Sequence, residues 1–185
     1  MSGDLWQYVC YRVVVGSRAY GLGDEGSDTD RKGVYLPPAD LHWSLGGAPA
    51  TLENDAEQTV AWEIEKFVRL GLSANPTALE ILWSPVVEHS DETGDDLWRH
   101  RSAFLSKRVA DTFVGYAEKQ RGKHLRRLER GDPVKPKQVM HTLRLLIAGE
   151  TLLRTGELDL QPVGERDRLL AVKHGEMAWP ILPMF

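Results

Sequence analysis

Residues 12–35 read Arg-Val-Val-Val-Gly-Ser-Arg-Ala-Tyr-Gly-Leu-Gly-Asp-Glu-Gly-Ser-Asp-Thr-Asp-Arg-Lys-Gly-Val-Tyr. The apolar run Val13–Val15 ends at Gly16-Ser17, a glycine-punctuated loop follows, and Asp28 and Asp30 then lead into Gly33-Val34-Tyr35. Alternate residues of an extended strand project from one face, so this spacing predicts that Asp28 and Asp30 stand side by side. Two carboxylates held together repel each other unless a cation lies between them. Paired oxygen ligands with room for phosphate and water suit Mg²⁺.

Working outward, residues 6–15 are rich in Val, Tyr and Trp and predict a first strand. Residues 18–22 predict a short helical turn, with the Ser17 hydroxyl and nearby backbone N–H groups available to a phosphate or simply capping the turn. Gly23–Gly26 is a polar turn, and Asp28–Leu36 a second strand stopped by Pro37-Pro38. Residues 39–56 carry Gly46-Gly47 and Pro49 and predict a surface loop with a short turn at 39–45. Gln58–Trp62 predicts a third strand. From Glu63 the period changes, and Ile64, Phe67, Val68, Leu70 and Gly71 fit a helix face. Asn75-Pro76 stops that helix and starts another, which Pro85 ends. Residues 88–96 are acidic and turn-like. Leu97–Arg130 carries one long helical pattern, Lys135–Thr155 another that stops at Gly156, and Arg166–Ala171 a short one. The final Ile-Leu-Pro-Met-Phe is apolar and calls for a covering surface.

At 185 residues, with 42% hydrophobic and 27% charged residues, the chain can bury a sizeable core. A formal net charge of −4 argues against a protein that merely coats nucleic acid. The single cysteine, Cys10, excludes an intramolecular disulfide framework and a Cys-based zinc finger. Its apolar neighbours predict an inert buried thiol. With no signal peptide or membrane-spanning stretch visible, the expected location is the cytoplasm.

A Gly-Ser turn, a further glycine and then Asp-x-Asp, here Gly16, Ser17, Gly21, Asp28 and Asp30, resembles the signature of the polymerase β nucleotidyltransferase superfamily. The closer resemblance is to bacterial and phage nucleotidyltransferases linked to RNA repair. In these, Gly-Ser-x-Ala-Tyr-Gly-Leu, Ser-Asp-x-Asp-x-x-Gly-Val-Tyr, Asn-Pro-x-x-Leu-Glu and His-x-x-Arg-Leu-Leu recur. They stand here at 16–22, 27–35, 75–80 and 141–146. The resemblance implies an α+β fold: a small mixed sheet flanked by helices in a catalytic core (residues 1–95), then a mainly helical C-terminal region (96–185). It implies transfer of a nucleotide from a nucleoside triphosphate to an acceptor hydroxyl, with Mg²⁺ or Mn²⁺ held by Asp28 and Asp30. Gly16 and Ser17 would grip phosphates, with Arg18, Arg31, His141 and Arg144 as further nucleotide contacts. The superfamily's third carboxylate would be Glu63 or Glu57, with Glu63 preferred for the face it shares with Thr59 and Ala61.

The acceptor suggested by this resemblance is an RNA 3′ end. The basic stretch Lys119–Arg130 is either a solvated helix face or a path for RNA. His141 and Arg144, three apart, share a face as either a buried polar pair or nucleotide contacts. Glu80, beside Leu79 on a helix, reads as structural. Alternative readings are an antitoxin-like enzyme that modifies or binds a partner protein, and an inactive nucleotide-binding module.

Overall fold

The computed structural model describes residues 4–161 and 163–177, so the apolar C-terminal five lie outside the described residues. The fold is α+β, and it divides into two compact units, 1–109 and 110–185.

After a 3₁₀ turn at Leu5–Tyr8, the first unit continues with β1 (Val9–Val15), α1 (Gly16–Ala19), β2 (Asp30–Tyr35) and α2 (Ala39–His42). It goes on through β3 (Thr51–Asn54), β4 (Thr59–Glu63), α3 (Ile64–Leu72), α4 (Pro76–Trp83), β5 (Val87–Ser90) and α5 (Glu92–Arg99). The strands form one mixed sheet in the order β3-β4-β2-β1-β5. β1 is antiparallel to β2 and β5, whereas β2 and β4 run parallel, with Arg31 opposite Thr59 and Tyr35 opposite Glu63. A parallel pair needs a crossover rather than a hairpin, and residues 36–58 supply it.

Three expectations need correction here. The stretch 39–56 is more than a loop, because Thr51–Asn54 adds an edge strand antiparallel to β4. The acidic stretch 88–96 contains the end of β5 and most of α5. Asp91 accepts a hydrogen bond from the Gly94 amide at 3.0 Å, and Glu92 and Asp95 lie in the first turn, where carboxylates oppose the positive end of the helix dipole. Leu97–Arg130 is not one helix: α5 ends at Arg99 and a 3₁₀ turn (Arg101–Phe104) intervenes before α6 (Arg108–Glu129). That turn drives Phe104 into the core, edge-on to Phe67 with ring centroids 6.3 Å apart. A Cβ on Gly71 would stand 2.6 Å from the Phe104 ring, so only glycine lets α3 accept it.

Other local signals hold. Asn75 caps α4, accepting from the Thr77 and Ala78 amides at 3.0 and 3.2 Å, with Pro76 in the first turn. Cys10 is buried, its Sγ donates to the Val34 carbonyl at 3.3 Å, and burial pushes its thiol up to about 12. It is no nucleophile near neutral pH.

The second unit comprises most of α6, then α7 (Pro136–Thr155) and α8 (Arg166–His174). α7 stops at Gly156, whose φ of +77° is left-handed and whose N–H returns to the Leu152 carbonyl. Phe113, Met140, Leu145, Leu152 and Leu169 are buried in this unit. Among the described residues, no helix is long and apolar enough to cross a membrane.

Candidate active site

The register of the sheet brings the two halves of the signature together. Val15, the last residue of β1, pairs with Asp30, the first of β2. The chain then turns sharply at Gly16, with φ +73°, into the single helical turn α1. An ideal Cβ at Gly16 would lie only 2.7 Å from Asp30 Oδ2. The Asp30 carboxylate therefore occupies the space that a side chain at position 16 would fill. Ser17 is buried, its carbonyl accepting from the Leu22 amide at 2.9 Å. Gly21, also left-handed at φ +67°, turns the chain again. Asp28 and Asp30 are exposed. Only Asp30 belongs to β2, however, so Asp28 stands on the loop approaching the strand rather than on the strand itself.

That loop is anchored on both sides of Asp28. Arg18 donates through Nε and Nη2 to the Ser27 carbonyl at 3.1 and 2.8 Å. Arg31 donates through Nη1 to the Thr29 and Glu57 carbonyls at 3.4 and 3.3 Å. The Arg31 Nε reaches Glu88 Oε2 at 2.8 Å, and the same Glu88 oxygen lies 3.3 Å from Arg12 Nε. Farther back, Ser27 and Asp24 close their turn, with the Asp24 amide donating to Ser27 Oγ at 2.9 Å. Arg18 and Arg31 thus each donate to a carbonyl flanking Asp28, and Arg31 also reaches Glu57 and Glu88. Their basic character is legible in the sequence, whereas the loop carbonyls they hold are visible only in the structure.

The structure does not bring Glu63 to Asp30. Glu63 ends β4 opposite Tyr35, five residues along β2 from Asp30, or about 16 Å at the rise of a strand. It does share the buried face of Thr59 and Ala61, as its spacing predicts. One of its oxygens, Oε2, accepts the Lys66 amide at 3.0 Å and so caps α3. Glu57 is exposed in the β3–β4 turn, and its carbonyl accepts from Arg31, which places its backbone at the Asp30 end of the sheet. Among the described residues, no three His, Cys, Asp or Glu side chains converge on one point.

A connection missed by the sequence reading links two of the quoted motifs. Tyr20 donates its hydroxyl proton to Glu80 Oε2 at 2.8 Å, and both residues are buried. The bond ties the turn after Ser17 to α4. Tyr20→Phe removes a donor from a buried carboxylate, which typically costs about 1–3 kcal/mol. Urea unfolding of the variant is expected to show a loss of that size; an unchanged midpoint would mean that Tyr20 does not anchor the loop.

His141 and Arg144 lie on α7 in the second unit; Arg144 is buried and His141 half-buried. Along α6, the cations Lys119, Lys123 and Arg126, with Arg130 just beyond its end, are exposed at spacings of four, three and four residues. That spacing forms a single stripe on a helix. Arg121 and His124 fall outside the stripe and line an otherwise mostly apolar cavity of about 390 Å³ with Leu125, Val139 and Val172. Burial, then the neighbouring charges of Arg127 and Lys123, hold the His124 imidazole below its usual value. It adds no charge to the stripe at neutral pH.

An uncharacterized protein of Bacillus subtilis (strain 168), YcgL, is 27% identical over 155 residues, covering 81% of this chain and 58% of that protein. The chain thus spans a little over half the length of this curated relative. The profile of the RNA repair pathway DNA polymerase beta family (RlaP) matches residues 6–178, nearly the whole chain and every motif described above. The chain belongs to that family, a branch of the polymerase β-like nucleotidyltransferases.

Proposed function

We propose that the protein transfers a nucleoside monophosphate from a nucleoside triphosphate to the 3′-hydroxyl of an RNA, using the edge formed by Gly16, Ser17, Asp28 and Asp30. The observation carrying this reading is the seat of the Asp30 carboxylate directly against the glycine of the Gly-Ser turn. The acceptor oxygen bonds to the α-phosphorus as the bond to the bridging oxygen of pyrophosphate breaks, and pyrophosphate leaves. Family membership supports nucleotidyl transfer as the general activity.

The donor set suits a divalent ion: Asp28 and Asp30 offer hard, exposed carboxylate oxygens with no soft ligand beside them. Mg²⁺ or Mn²⁺ held there would supply Lewis acidity, favouring deprotonation of the acceptor hydroxyl and neutralising the departing pyrophosphate. The chain's own contribution is positional. Arg18 and Arg31 keep Asp28 in register through its neighbours' carbonyls, Ser17 and adjacent N–H groups face the phosphates, and Glu57 is a further acid at that end of the sheet. The stripe Lys119, Lys123, Arg126 and Arg130 contacts the RNA backbone.

The test incubates the protein with labelled nucleoside triphosphates, Mg²⁺ or Mn²⁺, and RNA, DNA and protein acceptors. Label on the RNA 3′ end is expected. Label on none of the acceptors would sink the enzymatic reading, and label on protein alone would favour the antitoxin-like alternative. RNA affinity should fall with salt. Replacing the four stripe cations with Ala should reduce the slope of log affinity against log salt by about 3, at roughly 0.7 per single-strand phosphate contact. An unchanged slope would mean a solvated helix face and nothing more.

A further inference from the structure

The cavity of about 390 Å³ in the second unit lies off the basic stripe of α6 and has no part in the reading above. Its walls are largely aliphatic, with Leu125 and Leu128 from α6, Val139 from α7, Val172 from α8, and Met177. Among the described residues of the lining there is no acid, and no ring except the His124 imidazole. The one cation is Arg121, three residues before His124 on α6. Arg121 is half-buried, and among the described residues no hydrogen bond or ion pair engages it. Glu118, three residues earlier, is exposed and does not pair with it. Of the guanidinium nitrogens only Nε is shut off from water; the two Nη nitrogens stay open.

A guanidinium half withdrawn from water ordinarily finds an acceptor, because burial of an unpaired charge is costly. The open Nη groups form the planar fork that grips a carboxylate or phosphate through parallel N–H bonds. The field at this place is positive. After burial, the charges of Arg127 and Lys123 hold His124 below its usual value, and the neutral ring keeps one N–H to donate. A cation is therefore repelled and an anion attracted. The walls choose its body: aliphatic side chains suit an alkyl chain, whereas a nucleobase calls for aromatic rings to stack on.

We propose that this cavity binds an aliphatic anion, whose carboxylate or phosphate head accepts from the Arg121 Nη groups and whose alkyl chain lies against Leu125, Val139 and Val172. The site lies wholly within the second unit and does not depend on the nucleotidyl-transfer reading.

Calorimetric titration of the full chain tests this with octanoate and octyl phosphate, and with octanol, octylammonium and adenosine monophosphate as contrasts. At least one of the two alkyl anions is expected to bind at micromolar to millimolar concentration, and octylammonium not to bind. The tighter anion identifies the head group of the natural occupant. Its hexyl homologue should bind about 15-fold more weakly, at about 0.8 kcal/mol for each of two methylenes. Arg121→Gln should weaken the anion by at least about tenfold, the loss expected when a charge partner goes. Because Arg121 bonds to nothing else described, its thermal midpoint should not change. Leu128→Glu, at an exposed position of the lining, sets a like charge beside the head and should weaken binding by at least about fivefold. Failure of both alkyl anions to bind would overturn the site, as would an affinity unmoved by Arg121→Gln or by chain length. Octanol, octylammonium or adenosine monophosphate binding as tightly as the alkyl anion would overturn it too.

Discussion

Asp30→Asn is expected to leave a folded protein whose nucleotidyl transfer is slower by about 10³-fold, equivalent to about 4 kcal/mol of transition-state stabilisation. Asp30 is exposed, and it begins β2 opposite Val15 without filling any core space. Asn has the same shape and keeps the backbone pairing, and surface changes of this kind usually move stability by no more than about 0.5 kcal/mol. On the proposed reading, what is lost is one of the two carboxylates that would hold a divalent ion, and with it most of that hold and the field the ion would supply. Asp28→Asn should behave alike, because Arg18 and Arg31 fix its backbone through Ser27 and Thr29 whatever the side chain. The measurements are thermal unfolding, transfer of labelled nucleotide, and Mn²⁺ binding followed by paramagnetic relaxation. Matched loss of Mn²⁺ binding and transfer in both variants, at unchanged thermal midpoint, supports the site. Glu63→Gln supplies the contrast: it removes a carboxylate about 16 Å along the sheet and should leave transfer near wild type. If Glu63→Gln abolished transfer and Asp30→Asn did not, the site would have been drawn at the wrong end of β4.

That contrast also marks how far the sequence could be read. The Gly-Ser turn and the two aspartates are legible because their chemistry is local: a turn needs glycine, and carboxylates near one another need a cation. The side of β4 that carries Glu63 was legible too, since period-two alternation assigns faces. Which end of the neighbouring strand it meets was not, because a parallel register is set by a crossover whose length carries no such information. β3 was hidden for a related reason. Thr51–Asn54 is a four-residue edge strand between a Gly/Pro-rich loop and a turn, too short for its alternation to stand out. The acidic stretch 88–96 reads as a turn because Asp and Glu favour both turns and helix N-termini, and only the Asp91 cap distinguishes them. Arg18 and Arg31 were recognisable as cations. Their partners are mostly backbone carbonyls, which every residue carries and no sequence pattern reveals.

Gly16→Ala is expected to have the other large effect, and it can be divided into two parts. The φ of +73° at position 16 is left-handed, a region in which a Cβ costs about 1–2 kcal/mol. The same Cβ would meet Asp30 Oδ2 at 2.7 Å, so the carboxylate must swing away from the Gly-Ser turn. Strain alone would lower stability; displacement of the carboxylate would lower activity. Gly47 separates them, because its φ of +64° is also left-handed but a Cβ there meets nothing within 4 Å. Gly47→Ala should therefore lose about 1–2 kcal/mol in urea unfolding and keep its transfer rate. Gly16→Ala should lose at least as much stability and, at a temperature where both variants are folded, transfer at least about a hundredfold more slowly, as an ångström of misplacement can cost. Its Mn²⁺ affinity should fall in step. Equal transfer rates in the two variants would mean that Asp30 does its work without being seated against Gly16, and the carboxylate and the Gly-Ser turn would then be neighbours without being one site.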